Sequence, residues 1–137
     1  SRILPDVTSF NTVLKALAKS RTGGGSKAHE LFVEMVETYG MVPDGISYNT
    51  VLDGFAQEGR PQEAAAFFDT IPMDQLPPKD ITVAYNNLIV AWGNRVKSKS
   101  KNATEDDPYE HEERARAGEE ALLLLNNMMR LGVADVV

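Results

Sequence analysis

The chain of 137 residues has no cysteine, is 42% apolar, and carries 20 acidic against 14 basic side chains, a net charge of −6 at pH 7. This composition describes a folded chain and excludes a disulfide framework, a thiolate metal site and redox chemistry at cysteine. The charge has the wrong sign for a surface whose affinity comes mainly from neutralising phosphates. No apolar run is long enough to span a bilayer, so no membrane insertion is expected.

Residues 1–6, SRILPD, read as the tail of a preceding unit, which implies a longer natural protein. From there the chain says the same thing three times. SFNTVLKALA from Ser9, SYNTVLDGFA from Ser47 and AYNNLIVAWG from Ala84 each set an aromatic residue ahead of apolar residues three, four and seven positions on. The positions are Phe10/Val13/Leu14/Leu17, Tyr48/Val51/Leu52/Phe55 and Tyr85/Leu88/Ile89/Trp92. That spacing is one face of an α-helix, called A here. A second stripe, opening on alanine, answers each one downstream as helix B: Ala28/Leu31/Phe32/Met35, Ala64/Phe67/Phe68/Ile71 and Ala121/Leu124/Leu125/Met128.

A single helical hairpin cannot bury its own apolar face, so a fixed recurrence of this kind predicts a stack. The expected fold is all-α, a right-handed superhelical solenoid of antiparallel helix-turn-helix repeats covering residues 7–44, 45–81 and 82–135. RTGGGS at 21–26 predicts a loop between helices A and B of the first repeat, and PMDQLPPKD at 72–80 a loop after the second B helix. In the third repeat, KSKSKNATEDDPYEHEER at 97–114 has a basic half, an acidic half and no apolar period. It predicts an inserted surface loop. Small residues recur on the A helices at Ala16/Gly54/Ala91 and Ala18/Ala56/Gly93. A helical glycine costs about 1 kcal/mol relative to alanine, so these positions predict close approach of neighbouring A helices.

Nothing in the chain assembles a catalytic centre. His29 and His111 have no helically spaced partner, and Gly23, Gly24 and Gly25 lack the lysine and hydroxyl residue that complete a phosphate-binding loop. No enzymatic activity, cofactor or metal is expected.

The strings PDVTSFNTVLKALAK and PDGISYNTVLDGFAQEGRPQEAAAFF resemble the pentatricopeptide-repeat (PPR) family in their Pro-Asp junction, aromatic-Asn-Thr start and Gly-Arg-x-x-Glu-Ala approach to helix B. The third repeat departs from that pattern, with a displaced B helix and an ending, GVAD, that has alanine where the family has proline. The resemblance implies sequence-specific binding of single-stranded RNA, one base per repeat, in organellar RNA processing, stability or translation, in a mitochondrion or plastid. A competing reading, which the acidic balance favours, is a degenerate array serving as a structural or protein-interaction subunit of a large organellar assembly.

Carried over position by position, the resemblance makes Asn11, Asn49 and Asn86 the first base-reading residues and Asp44, Asp80 and Asp135 the second. Lys79 or Ile81 compete with Asp80, because Pro78 to Asn86 is longer than Pro43 to Asn49. Thr8, Ile46 and Val83 become the side chains that sandwich bases, and Lys19, Gln57, Asn94 and Arg95 the phosphate contacts. An Asn/Asp pair goes in the family with a preference for uridine. Read from the residues alone, the asparagines also suit a local bond to backbone near a helix start, and Asp6 and Asp44 suit an N-cap. Lys15, Asp53 and Val90, four residues beyond each asparagine, vary freely and are read as another helix face.

Overall fold

The computed structural model describes the backbone of residues 3–100 and 108–136 and the side chains of 3–95 and 108–132. Six helices follow in order: α1 (Val7–Ala18), α2 (Gly24–Glu37), α3 (Gly45–Gln57), α4 (Pro61–Phe68), α5 (Pro78–Ser100) and α6 (Pro108–Val136), with a 3₁₀ turn at Met73–Gln75. There is no strand among the described residues. The A helices α1, α3 and α5 pack side by side, and each B helix folds back on its own A helix. The chain is thus a helical-repeat solenoid.

The stripes read from the sequence form one continuous core except at Val13, which is exposed, and on α6, where Leu125 is exposed, Ala121, Leu124 and Met128 are only partly buried, and Ala117 is the buried residue. Leu14, Ala28, Met35, Val51, Leu52, Ala56, Ala64 and Ala91 are fully buried, with Phe10, Phe32, Phe55, Phe67 and Leu88 nearly so. Aromatic contacts carry that core from one repeat to the next. Phe32 of the first B helix meets Tyr48 of the second A helix at 5.2 Å between centroids, and Phe68 meets Tyr85 at 5.0 Å. Phe32 and Phe67 add an edge-to-face pair at 5.0 Å, the arrangement the ring quadrupoles favour.

Three features differ from the sequence expectation. The glycine run at 21–26 is not all loop, because α2 already begins at Gly24. Gly24 and Gly25 are helical where a Cβ has no room. One on Gly25 would lie 2.9 Å from the Phe55 backbone nitrogen, and one on Gly24 would lie 2.7 Å from the Ala18 carbonyl oxygen. Similarly, 78–80 open α5 instead of ending a loop, with Pro78 at a helix start where its missing N–H costs nothing. The predicted insertion at 97–114 is largely helix: α5 runs on to Ser100 and α6 begins at Pro108, while 101–107 fall outside the described residues. The segment 108–114 lacks an apolar period because most of it faces solvent, and a Glu110–Arg114 pair at 3.7 Å, one turn apart, suits such a helix.

The small residues divide by position. Gly54 faces α2 so closely that a Cβ would lie 2.9 Å from Gly25 Cα and 3.3 Å from Ala18 Cβ. Ala18, Ala56 and Ala91 are buried as well, whereas Ala16 is exposed and a Cβ on Gly93 would meet nothing. Close approach is therefore confined to the A-helix faces that have a neighbour.

Candidate nucleic-acid interface

Asp6 and Asp44 cap their helices by the same device. Each accepts the backbone N–H of a serine three residues on, Ser9 or Ser47, and that serine's hydroxyl accepts the N–H of the aspartate. This reciprocal box satisfies donors that a helix start otherwise leaves bare. Asp44 does more, because α1 lies beside α3. Asn11 Nδ2 donates to Asp44 Oδ1 at 3.1 Å, and Ser47 Oγ donates to Asn11 Oδ1 at 2.6 Å. Burial pushes the Asp44 carboxyl up, but the Ser47 N–H, the Asn11 amide and the Ser47 hydroxyl together hold it below the ordinary carboxylate value. The capping role and the pairing with Asn11 coexist in one side chain.

The second junction places the corresponding groups differently. Asn49 Nδ2 donates to the backbone carbonyl of Asp80 at 3.1 Å, while Asn49 Oδ1 is buried and has no hydrogen-bond partner. Asp80 stands within the first turn of α5 and not at its N-cap. Its carboxylate lies over Gly45, where a Cβ would come within 2.5 Å of Asp80 Cγ. Of the three residues competing for this position, Asp80 is the one that reaches the groove floor beside Asn49, and Lys79 and Ile81 do not line it.

That groove is open, encloses about 490 Å³, and is lined by residues of α1, α3 and the first turns of α5. Ile46 and Val83, 50% and 44% exposed, flank Asn49 in it, while Lys15 and Lys19 supply its positive charge. Lys15, Asp53 and Asn87 are lining residues that the sequence reading left out. Lys15 and Asp53 share the groove with Asn49 and do not occupy a separate face, since residues four apart lie one above the other on a helix. Their variability was the signal available, as positions that tune a ligand-facing wall need not repeat.

The remaining positions spread away from this centre. Asn86 is exposed, and it is its neighbour Asn87 that turns inward, donating to the Asn49 carbonyl at 3.3 Å. Thr8 is exposed on α1, and its carbonyl accepts the Thr12 hydroxyl at 2.9 Å. Gln57 donates to Asp53 at 3.2 Å. Asn94 Nδ2 donates to the Ala56 carbonyl at 2.8 Å and so ties α5 to α3. Arg95 is half-buried beside the turn at Gly59, whose φ of +64° favours glycine and where a Cβ would lie 3.0 Å from the Arg95 backbone nitrogen. Asp135 lies in the last turn of α6, outside the described side chains.

The Gly-Arg-x-x-Glu-Ala string turns out to fasten repeats together. Arg60 pairs with Glu63 at 3.2 Å, donates to Ser26 of the first repeat at 2.7 Å, and lies 5.3 Å from the centroid of the Phe55 ring. Glu58 accepts the Gly25 N–H, which supplies the start of α2 with the cap its own Gly23 lacks.

Among the described residues no helix is long and apolar enough to cross a membrane and no cluster of potential metal ligands exists. Two family models match the chain, one for the PPR repeat family over residues 5–57 and one for the PPR repeat over 46–74. A chloroplastic pentatricopeptide repeat-containing protein of Arabidopsis thaliana is 32% identical over 90 residues, 66% of this chain and 11% of the relative. A mitochondrial pentatricopeptide repeat-containing protein of the same plant is 34% identical over 62 residues, 45% of this chain and 7% of the relative. The chain thus spans about a tenth of the length of the relatives it matches. With the repeated hairpins, the family models and these relatives in agreement, the chain belongs to the pentatricopeptide-repeat family.

Proposed function

We propose that the groove between the A helices binds single-stranded RNA and that the chain acts by binding, without catalysis, in organellar RNA metabolism of the kind suggested by its chloroplastic and mitochondrial relatives. One observation carries this reading: Asn49 lines an open groove together with two half-exposed aliphatic side chains, Ile46 and Val83. Flat apolar walls suit the two faces of an unstacked base, and a carboxamide between them suits its hydrogen-bonding edge. Lys15 and Lys19 on the wall are the cations a phosphate would meet there, and they balance Asp53 and Asp80 of the same lining in a chain that is acidic as a whole. In this reading Asn11 with Asp44 and Asn49 with Asp80 are successive base readers, Thr8, Ile46 and Val83 pack on base faces, Asn86 and Asp135 belong to a further reading position, and Lys19, Gln57, Asn94 and Arg95 lie along the phosphate path.

The test is fluorescence anisotropy with short single-stranded RNAs at low salt. A stacking or edge contact contributes on the order of 1–3 kcal/mol per base, so Asn49→Ala is expected to weaken binding about tenfold or more. Glu34→Ala, on the exposed side of α2, should leave binding unchanged. Lys19→Ala should flatten the salt dependence without altering base preference, because phosphate contacts carry no sequence information. No binding by any RNA of the set would reject the reading in favour of a protein-interaction module.

A further inference from the structure

The two complete junctions hold their asparagines in different ways, and one residue accounts for the difference. In the first, Asn11 is 7% exposed and both ends of its carboxamide are engaged, Nδ2 by Asp44 and Oδ1 by the hydroxyl of Ser47. Ser47 is fully buried, and its single hydroxyl proton has its shortest contact, 2.6 Å, with Asn11. The aligned residue in the next repeat is Ala84, also buried and with no hydroxyl to donate. In agreement with that substitution, Asn49 Oδ1 is the groove atom left without a partner, and one bond, from Nδ2 to the Asp80 carbonyl, holds the amide. Asp80 cannot replace the missing donor, since a carboxylate and a carbonyl only accept.

We infer that the residue just before the aromatic of each A helix is a positioning residue for the preceding repeat: Ser47 adds a second bond that locks the orientation of the Asn11 amide, and Ala84 leaves that of Asn49 held by one bond. The inference rests on the RNA-binding reading and adds to it a specificity. Uracil presents a carbonyl acceptor and an N–H donor where cytosine presents an amino donor and a ring-nitrogen acceptor. An amide whose orientation is fixed matches one of these patterns. An amide free to turn about its last side-chain bond matches either, at the loss of one hydrogen bond to Asp80. The second repeat is therefore expected to separate uridine from cytidine less sharply than the first.

The experiment uses this chain with Ala84→Ser, Ser47→Ala and Ser47→Thr, titrated by anisotropy against single-stranded RNAs that differ only in carrying uridine or cytidine at each position in turn. Ala84→Ser restores a hydroxyl at the position aligned with Ser47 and should raise the U-to-C affinity ratio about fivefold at one position of the strand, the value of one net hydrogen bond. Ser47→Ala should lower the ratio about fivefold at the neighbouring position, and Ser47→Thr, which keeps the hydroxyl, should preserve it. A second readout needs no RNA: hydrogen exchange of the side-chain amides by NMR should be slower for Asn11 than for Asn49, and Ala84→Ser should slow Asn49. Equal exchange in all variants, or U-to-C ratios that ignore the swaps while RNA still binds, would overturn the inference alone. Failure of every RNA to bind would overturn the RNA reading and this inference with it, and the exchange rates would then report only on the clamp itself.

Discussion

The junction between the first two repeats is closed mainly by side chains meeting side chains, with the Gly25 N–H on Glu58 added, whereas the next is closed by amides meeting backbone. At the first, Asn11, Asp44 and Ser47 form one network, and Arg60 reaches Ser26. At the second, Asn49, Asn87 and Asn94 each donate to a main-chain carbonyl across the junction, those of Asp80, Asn49 and Ala56. The same helical stack can therefore be held by a carboxylate that titrates or by neutral donors that do not. What the two junctions share is the core beneath them, and what they do not share decides how each asparagine is presented.

The shared core should give the largest effect. Leu52 is fully buried on α3, which packs against α1, α2, α4 and α5, so Leu52→Ala is expected to cost about 2–5 kcal/mol in a urea melt. Val13, at the α1 position matching buried Val51, is 50% exposed, and Val13→Ala should change stability by less than about 0.5 kcal/mol. Equal losses at the two sites would mean that α3 is not the central helix of the stack.

Next come the glycines, with opposite signs. Gly54→Ala drives a methyl into the backbone of Gly25 and should destabilise by about 1–3 kcal/mol. Gly93→Ala meets nothing and should stabilise α5 by roughly 0.5–1 kcal/mol through helix propensity. Thermal melts of the two variants moving in the same direction would remove the distinction between covered and open A-helix faces.

The second junction can be loosened alone by Asn94→Ala, which leaves the Ala56 carbonyl without its donor and should cost about 1–2 kcal/mol, with no change in the pH dependence of stability. The first junction should respond to acid instead. Asp44 has a carboxyl pKa held below its unfolded value, so its contribution is present in full above that unfolded value, near 3.8, and is lost as pH falls through the lower folded value. Asp6 is depressed in the same direction, chiefly by the Ser9 N–H. Melts between neutral pH and about pH 2 should therefore show a loss in the native chain that Asp44→Asn reduces but does not abolish, since Asp6 remains.

Most of the architecture was legible because it repeats. Stripes at one helical period name most of their own core, and Phe32, Leu52 and Phe67 lie where that period puts them, while Leu125 of the last stripe does not. The sequence was less legible where a residue type has two physical uses. Gly24 and Gly25 suit a loop and also a helix start with no room for a Cβ, and composition does not separate the two. The charged run at 108–114 lacks an apolar period whether it is a loop or a solvent-facing helix, and local ion pairs distinguish those only in three dimensions. At the site, the register of Asn11 and Asn49 was plain, but their bonding depends on Ser47 and Ala84 from the neighbouring repeat. The pairing of Asp44 with Asn11 follows from α1 lying beside α3, whose N-cap is Asp44.

The central claim is that the groove at Asn49 is where RNA binds, and an NMR titration of the ¹⁵N-labelled chain with a short single-stranded oligopyrimidine tests it most directly. The expected result is a set of shifted backbone and side-chain amides confined to α1, α3 and the start of α5, with Ile46, Asn49, Asp80 and Val83 among the largest and α2 and α4 unmoved. Shifts gathered on α2 and α4, or a spectrum unchanged at saturating oligonucleotide, would contradict it.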